Sequence, residues 1–516
     1  MTEADLILKN ARVITVDTHC PMADFVAVKG DRILFAGDSR EIDSLTGPGT
    51  KTIDCAGKTI VPGFIDAHCH IFSFFRKILS VDLSTEKVQS IADIKTAIRE
   101  AVKTTPPGEW IDGADYNEFY LKEKRHPTRH DIDEVAPDHP VVLSHQSLHA
   151  CVLNSKALEL AGITRETEEP PGGTIVREYD TGEPGGLLID MLGYIREQVM
   201  PGITREKLER GVRLANRHYL SRGITSLQDA TVVNDMGRWH RFEGFKDSRL
   251  FQPRVYLMAG YEYLDEFIRA GLPFGYGNAE LKLGHVKITP SESEGNKVFP
   301  PPEELNRMVL KIHRSGFRAA IHAVRMETVE AAVTAICSAL EQQPVPDHRH
   351  RLEHCSECPP ELLEQIRKAG ICIATQPPFV HYSGERYLAT VEPERLPWLY
   401  RIKSLLNAGV TVAGSSDSPI VNDNPLMGIY AAVTRKAKID AILQPEERIS
   451  PLQALTMYTL NAARVSFDEA IKGSISPGKL ADMILLSADP TSVPPEQKKD
   501  ITVEMTILGS NVVWEN

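Results

Sequence analysis

Apolar positions fall along this chain in short runs, and the spacing inside each run indicates the element it builds. Near the N-terminus the runs alternate as half-buried strands do: DLILKNARVITVD, then FVAVKGDRILFAG with a Lys29-Gly30-Asp31-Arg32 turn, then KTIDCAGKTIVP. The same style returns at the other end in LADMILLSA and VEMTILGSNVVW. Neither end supplies enough strands for a stable sheet, so the two are expected to pair into one small β domain, residues 1–61 with 472–516.

Between these ends lie eight short apolar strand candidates: TIVPGFIDAHCH, GITSLQDA, RVYLMAG, LGHVKITP, FRAAIHAV, HRLEHC, GICIATQP and VTVAGSSDSP. Helical patterns separate them, such as PEELNRMVLKIHRSG before the fifth and PELLEQIRKAG before the seventh, the latter closed by Gly370. Eight strands alternating with helices is the count of a (β/α)8 TIM barrel, an α/β fold, here over residues 62–471. Residues 75–203 break that rhythm with turn-rich pieces such as TPPGEWIDGADYN and PPGGTIVREYDTGEPGGLL. They are expected to form an insertion after the first barrel strand, and a cap over the C-terminal strand ends where such barrels keep their active sites.

Composition then removes classes of function. The chain has 516 residues, 42% hydrophobic and 25% charged, as a soluble globular protein has. Its net charge of -12 offers no field for phosphate backbones, so no nucleic-acid partner is expected. No run reaches membrane-span length, and the acidic start MTEADLILKN lacks the basic region of a signal peptide. The expectation is a cytoplasmic protein without membrane partners. Eight scattered cysteines suit a reducing compartment, and Cys355 with Cys358 has the spacing of half a zinc ribbon without the other half.

The candidate chemistry begins at residues 61–70, VPGFIDAHCH. Strand side chains alternate faces, so His68 and His70 point one way and Cys69 the other. Two imidazoles so placed either share a metal ion or are unrelated polar residues at a strand end. The ends of the other strands bear on that choice: the fourth carries Lys287, the fifth His322, the sixth His354 and the eighth Asp417, all expected to face one cavity. Imidazole nitrogen and carboxylate oxygen are ligands of zinc and similar divalent ions, and catalytic sites keep one position open for water.

With these residues the chain resembles the amidohydrolase superfamily, specifically its YtcJ-like (amidohydrolase 3) branch, which includes N-substituted formamide deformylases. PGFIDAHCH, HACVLNSKALELAGI, PPGGTIVRE, the Lys of HVKI, the His of IHA, RLEH, GSSDSP with NPLMGIYAAVTR, YTLNAA and KGSISPGKLADMILL carry the resemblance in family order. It implies a barrel plus a composite N-/C-terminal β-sandwich, in which His68 and His70 ligate the more buried of two divalent metals, zinc with iron or manganese as alternatives, and His322 and His354 the second. Lys287 would bridge both as an N-carboxylated side chain, since an ammonium beside two cations is strongly unfavourable; the alternative is an ordinary lysine paired with Glu292 or Glu294. Asp417 would bind a metal and take the proton of the attacking water, or else cap a helix. The implied reaction is hydrolysis of a C–N bond in an amide, N-formyl or N-acyl compound. Ester, lactone or carbamate hydrolysis would use the same water, and a non-catalytic scaffold would have lost its ligands.

The resemblance also implies a small-molecule substrate and is compatible with a homodimer. His149, Asn154 and Arg177 match family positions near the substrate, while Trp110, Phe72 and Phe74 are candidates for an apolar pocket. A surface ion pair for Arg177 and core packing for the aromatics are the competing readings. The chain departs from the family pattern in three loops: HAVRMET stands where HAIGD is usual, ITPSESEG replaces an FADG-like loop, and IFSFFRK lacks the usual glycine. Those loops contact substrate, so no named substrate transfers.

Overall fold

The computed structural model describes residues 2–170, 172–293 and 297–516, the side chains of residues 292 and 293 excepted. It resolves into two compact units, Met1–Ile71 with Asn216–Asn516, and Phe72–Ala215. The first holds an eight-stranded parallel sheet whose strands, in chain order, are β1 Phe64–Cys69, β2 Ile224–Asp229, β3 Arg254–Gly260, β4 Leu281–Ile288, β5 Ala319–Ala323, β6 Arg351–His354, β7 Cys372–Thr375 and β8 Val412–Gly414. Each pairs with the next, as the eight apolar runs predict. These strands are buried almost throughout, which is why they read as continuous apolar runs instead of alternating ones.

Closure comes just after β8, where Asp417 N–H donates to the His68 carbonyl at 2.8 Å and His70 N–H to the Ser418 carbonyl at 2.7 Å. The backbone that completes the barrel therefore also carries Asp417 to the two histidines. Asp66 reinforces the seam, accepting from Ser416 N–H at 3.0 Å and Ser416 Oγ–H at 2.5 Å.

The first apolar run divides at Gly63. Thr59–Pro62 joins a six-stranded sheet with Arg12–Ile14, Met22–Ala23, Met483–Leu486, Val503–Leu508 and Asn511–Glu515, whereas Phe64 begins the barrel. A side chain at Gly63 would collide with Thr225 of β2. Strands from the two ends of the chain thus share one sheet, over a core that includes Leu8, Val26, Ile60, Met483, Leu485 and Ile507. Arg254 at the start of β3 ties the C-terminal strands to the barrel through Asp482, with Nε and Nη2 donating at 2.6 and 2.9 Å.

The unit Phe72–Ala215 is wider than the turn-rich segment 75–203 and has a sheet the turn signals do not reveal. Its six strands run in the order Thr174–Arg177, Pro184–Ile189, Ala150–Leu153, Val141–His145, Ile111–Tyr116 and Val81–Asp82. Among the described residues no helix is long and apolar enough to cross a membrane.

Candidate metal centre

His68, at the end of β1, is fully buried, with Nδ1 2.5 Å from Glu353 Oε2. Its Nε2 is 3.3 Å from Asp417 Oδ1 and makes no hydrogen bond. His70 has Nδ1 3.0 Å from Thr231 Oγ1 and Nε2 3.0 Å from the same Asp417 oxygen. Among the described residues, His68, His70 and Asp417 form the group of three His, Cys, Asp or Glu side chains able to hold a metal ion, with one ligand atom from each inside 4.8 Å. Asp417 adopts a left-handed backbone (φ 63°), a strained state held by its ladder bond to β1. It caps no helix here: the helix Pro425–Thr434 is capped by Asn424.

The remaining predicted ligands from the barrel strands extend this group. The His354 ring lies 4.8 Å from that of His68 and 4.5 Å from that of His322, centroid to centroid. His354 Nδ1 is 2.8 Å from Gln376 Oε1, and Gln376 donates from Nε2 to Ser415 Oγ at 3.0 Å. The amide oxygen can only accept, so Nδ1 carries the hydrogen and Nε2 is left with a free lone pair. Burial drives the His354 pKa down to about 3, and His322 well below its ordinary value, so both are neutral as metal binding requires. Lys287 on β4 is buried with Nζ making no hydrogen bond, and desolvation brings its pKa down to about 8 against the pull of Glu353 and Asp417. Asp417 is ionised: burial opposes its charge, but the His68 and His70 rings beside it hold its pKa well below the carboxylate range.

A buried ionic network supports the rings. Glu353 shares its carboxylate between His68 and Arg351, whose Nε is 2.5 Å from Oε1. Arg351 also donates to Gln228 Oε1 at 2.5 Å and to the Ala67 carbonyl at 2.7 Å. Burial raises the Glu353 pKa, yet Arg351 and His68 outweigh it and hold the group well below its ordinary value. Sequence reasoning missed Glu353, Arg351, Gln228, Gln376 and Thr231 as site residues. RLEH carries a signal for two of them, since Arg351 and Glu353 alternate onto one strand face; the others act from separate strands and leave none.

The centre passes a simple test of fit for a divalent cation. Two nitrogens, His68 Nε2 and Lys287 Nζ, are buried without partners, beside an ionised carboxylate and the neutral imidazoles of His322 and His354. Glu294 lies outside the described residues, as does the side chain of Glu292. Cys355 and Cys358 are buried free thiols; their mutual hydrogen bond, then burial, pushes the Cys355 pKa well up, so it is no ready thiolate ligand.

Within Phe72–Ala215 several predicted substrate contacts have other employment. Asn154 caps the helix Ser155–Ala161 by accepting from Ala157 N–H at 3.0 Å, accepts from Val141 N–H at 2.9 Å, and donates to the Ala136 and His139 carbonyls at 3.0 and 2.9 Å. Its amide is fully used by these backbone groups. Arg177 likewise donates to the carbonyls of Thr164, Thr167 and Gly182. His149 is 75% exposed, with Nδ1 2.6 Å from Asp190 Oδ1. Phe72 packs edge-on to Phe75, Phe74 is buried, and Trp110 is partly buried against a core with Val142 and Leu192.

Comparison with known proteins adds the family. The profile described as "Amidohydrolase family" matches residues 51–514. The N-substituted formamide deformylase of Arthrobacter pascens is 28% identical over 99% of this chain and 98% of its own length. Protein LONG AFTER FAR-RED 3 of Arabidopsis thaliana is 30% identical over 99% of this chain and 92% of its own. Among solved structures, an uncharacterized metal-dependent hydrolase from Pyrococcus horikoshii superposes with a TM-score of 0.76 at 24% identity, covering 95% of this chain and 99% of that one. That likeness shows the shared fold.

Proposed function

The chain belongs to the amidohydrolase family, and from that premise we propose that it hydrolyses a C–N bond of a small amide, of N-formyl or N-acyl type, with the help of divalent metal. His68, His70, Lys287, His322, His354 and Asp417 would hold the metal, two zinc ions or iron or manganese in their place. One observation carries this reading: His68 Nε2 and Lys287 Nζ are buried without hydrogen bonds beside the neutral imidazoles of His322 and His354 and an ionised aspartate. Unpaired polar groups cost several kcal/mol in an apolar medium, on the order of 2–7. A ligand that accepts their lone pairs removes that cost.

A pKa of about 8 gives Lys287 a neutral fraction near physiological pH. The neutral amine can attack carbon dioxide; an N–C bond forms, the ammonium proton is lost to solvent, and the side chain becomes a carbamate that ligates as a carboxylate. A divalent ion in this set supplies a Lewis acid that polarises a carbonyl and lowers the pKa of water from about 16 toward about 7. Asp417 Oδ1 accepts the proton of the attacking water and returns it to the departing nitrogen. Glu353, Thr231 and Gln376 fix the rings of His68, His70 and His354.

The test is elemental analysis of protein purified without chelator, with 13C NMR of Lys287 after exchange with labelled bicarbonate, and turnover of N-formyl and N-acyl amines. About two ions per chain, a carbamate signal and hydrolysis are expected. Asp417→Asn should keep most of the metal and lose about 10²–10⁴-fold in kcat. Metal-free protein without turnover would falsify the proposal.

A further inference from the structure

The unit Phe72–Ala215 contains a cavity of about 690 Å³ lined by Arg76, Trp110, Asp112, Met200, Lys207 and Arg210 among others. Its charges do not pair off. The Arg76 side chain is three-quarters buried, its guanidinium donates to no described residue, and its ion-pair partner Asp112 stands at 4.0 Å, beyond hydrogen-bond reach. Arg196 approaches the same carboxylate at 3.8 Å and donates from Nη2 to Ser144 Oγ at 2.9 Å, while its Nε is buried without a partner. Asp112 Oδ1 is buried and receives no hydrogen bond. Two guanidiniums thus flank Asp112 across gaps, with Glu197 a further counter-charge to Arg76, and the cavity lining keeps more cations than carboxylates, with the Arg76 donors pointed at no acceptor. Burial, then the neighbouring Arg196, pulls the Arg76 pKa below its ordinary value, so like charge is crowded here.

The rim adds to the excess: Lys207 is 3.5 Å from Glu109, and Arg210 forms no ion pair among the described residues. Trp110 and Met200 supply an apolar wall. We propose that this cavity binds a small organic anion, a carboxylate whose charged end is held by Arg76 and whose apolar body lies against Trp110. A planar guanidinium with free parallel N–H groups suits a carboxylate in two-point contact, and a largely buried pair of this kind is far stronger than one in water. The volume is that of a small-molecule site, with a few polar groups converging on one end.

The test uses the full chain labelled with 5-fluorotryptophan, whose four tryptophans give four 19F signals, with Trp110 assigned through Trp110→Phe. Benzoate is the probe. The Trp110 signal is expected to shift and saturate at millimolar benzoate or below while the other three stay in place, and inorganic phosphate is expected to produce a smaller shift. Arg76→Gln should weaken binding about tenfold or more, as loss of a charged hydrogen bond does, and Arg76→Lys should restore part of it. Circular dichroism of both variants separates loss of binding from loss of fold, and if Arg76→Gln unfolds, Arg210→Gln at the exposed rim replaces it with a smaller expected loss. An immobile Trp110 signal, or one that shifts equally in wild type and the charge-neutralised variant, would overturn the proposal and assign the gaps to water.

Discussion

Glu353 lies 2.5 Å from His68 Nδ1 and Gln376 2.8 Å from His354 Nδ1, so each decides which ring nitrogen is left for a cation. Gln376→Leu should lower metal affinity by about 10–100-fold, read by competition with a chromophoric chelator; unchanged affinity would remove Gln376 from the centre. Glu353→Gln should instead act first on stability. It leaves Arg351 as a buried charge without its counterion, at a cost of about 3–5 kcal/mol in urea unfolding. Asn154→Ala is expected to cost about 2 kcal/mol by removing a cap and orphaning buried carbonyls, with kcat/KM unaltered; a large fall in kcat/KM at full stability would return Asn154 to the substrate. The contrast explains what the sequence disclosed at this scale. His68 and His70 are legible because strand alternation aims both one way, whereas Gln376 and Thr231 reach the rings across strand boundaries. His354 departs from the alternation altogether: its backbone, like that of Cys355, is left-handed (φ 72° and 50°), and no residue pattern announces that turn.

At the scale of elements, the helix Pro302–Arg314 and the segment leading into β6 are joined by a relay of imidazoles with a defined proton at each step. Ala319 N–H donates to His350 Nδ1 at 2.8 Å, so His350 Nε2 carries the hydrogen and gives it to His313 Nδ1 at 2.8 Å. His313 Nε2–H then donates to the Gln343 carbonyl at 2.7 Å. His348 accepts His350 N–H at 2.9 Å and donates to the Ala369 carbonyl at 2.7 Å. Every ring nitrogen is used in the neutral form. Burial, then His348, His313, His285 and Arg318 around it, holds the His350 pKa well below 6.5, and burial lowers that of His348 too. The unfolded chain therefore takes up more protons, and stability is full above about pH 6.5 and falls as pH drops below it. A histidine neutral down to pH 5 that titrates near 6.5 when unfolded takes away about 2 kcal/mol between pH 7 and 5. Urea midpoints should decline over that window, and His350→Asn, which keeps an acceptor near Ala319, should flatten the decline; equal slopes would show that the relay does not titrate. The helix itself was readable from its amphipathic spacing and its prolines at the start, and Gly370 closes Pro360–Ala369 in the left-handed state expected of it. The sheet of Phe72–Ala215 was not, because its strands are short, punctuated by glycine and proline, and paired out of sequence order.

Over the whole molecule, the six proposed ligands are spread around the barrel: on β1 and just past it, on β4, β5 and β6, and after β8. The unit Phe72–Ala215 contributes none of them. That distribution follows from the fold, since the eight strands are buried on both faces and hence legible as apolar runs, and their C-terminal ends are the places where polar residues interrupt those runs. A cation bound by this set would clasp strands whose order in the chain is far apart, and it binds the folded barrel alone. At a free concentration about 1,000 times Kd it adds about 4 kcal/mol to that unit's stability. Removal by chelator should therefore lower the calorimetric transition of the barrel unit and leave that of Phe72–Ala215 in place, with zinc restoring the first. The shift depends on where the ligands sit and not on turnover, so it tests the centre without a substrate. A thermogram indifferent to chelator and to zinc would mean that no structural hold passes through His68, His70 and Asp417, and that the partnerless His68 Nε2 is satisfied by water.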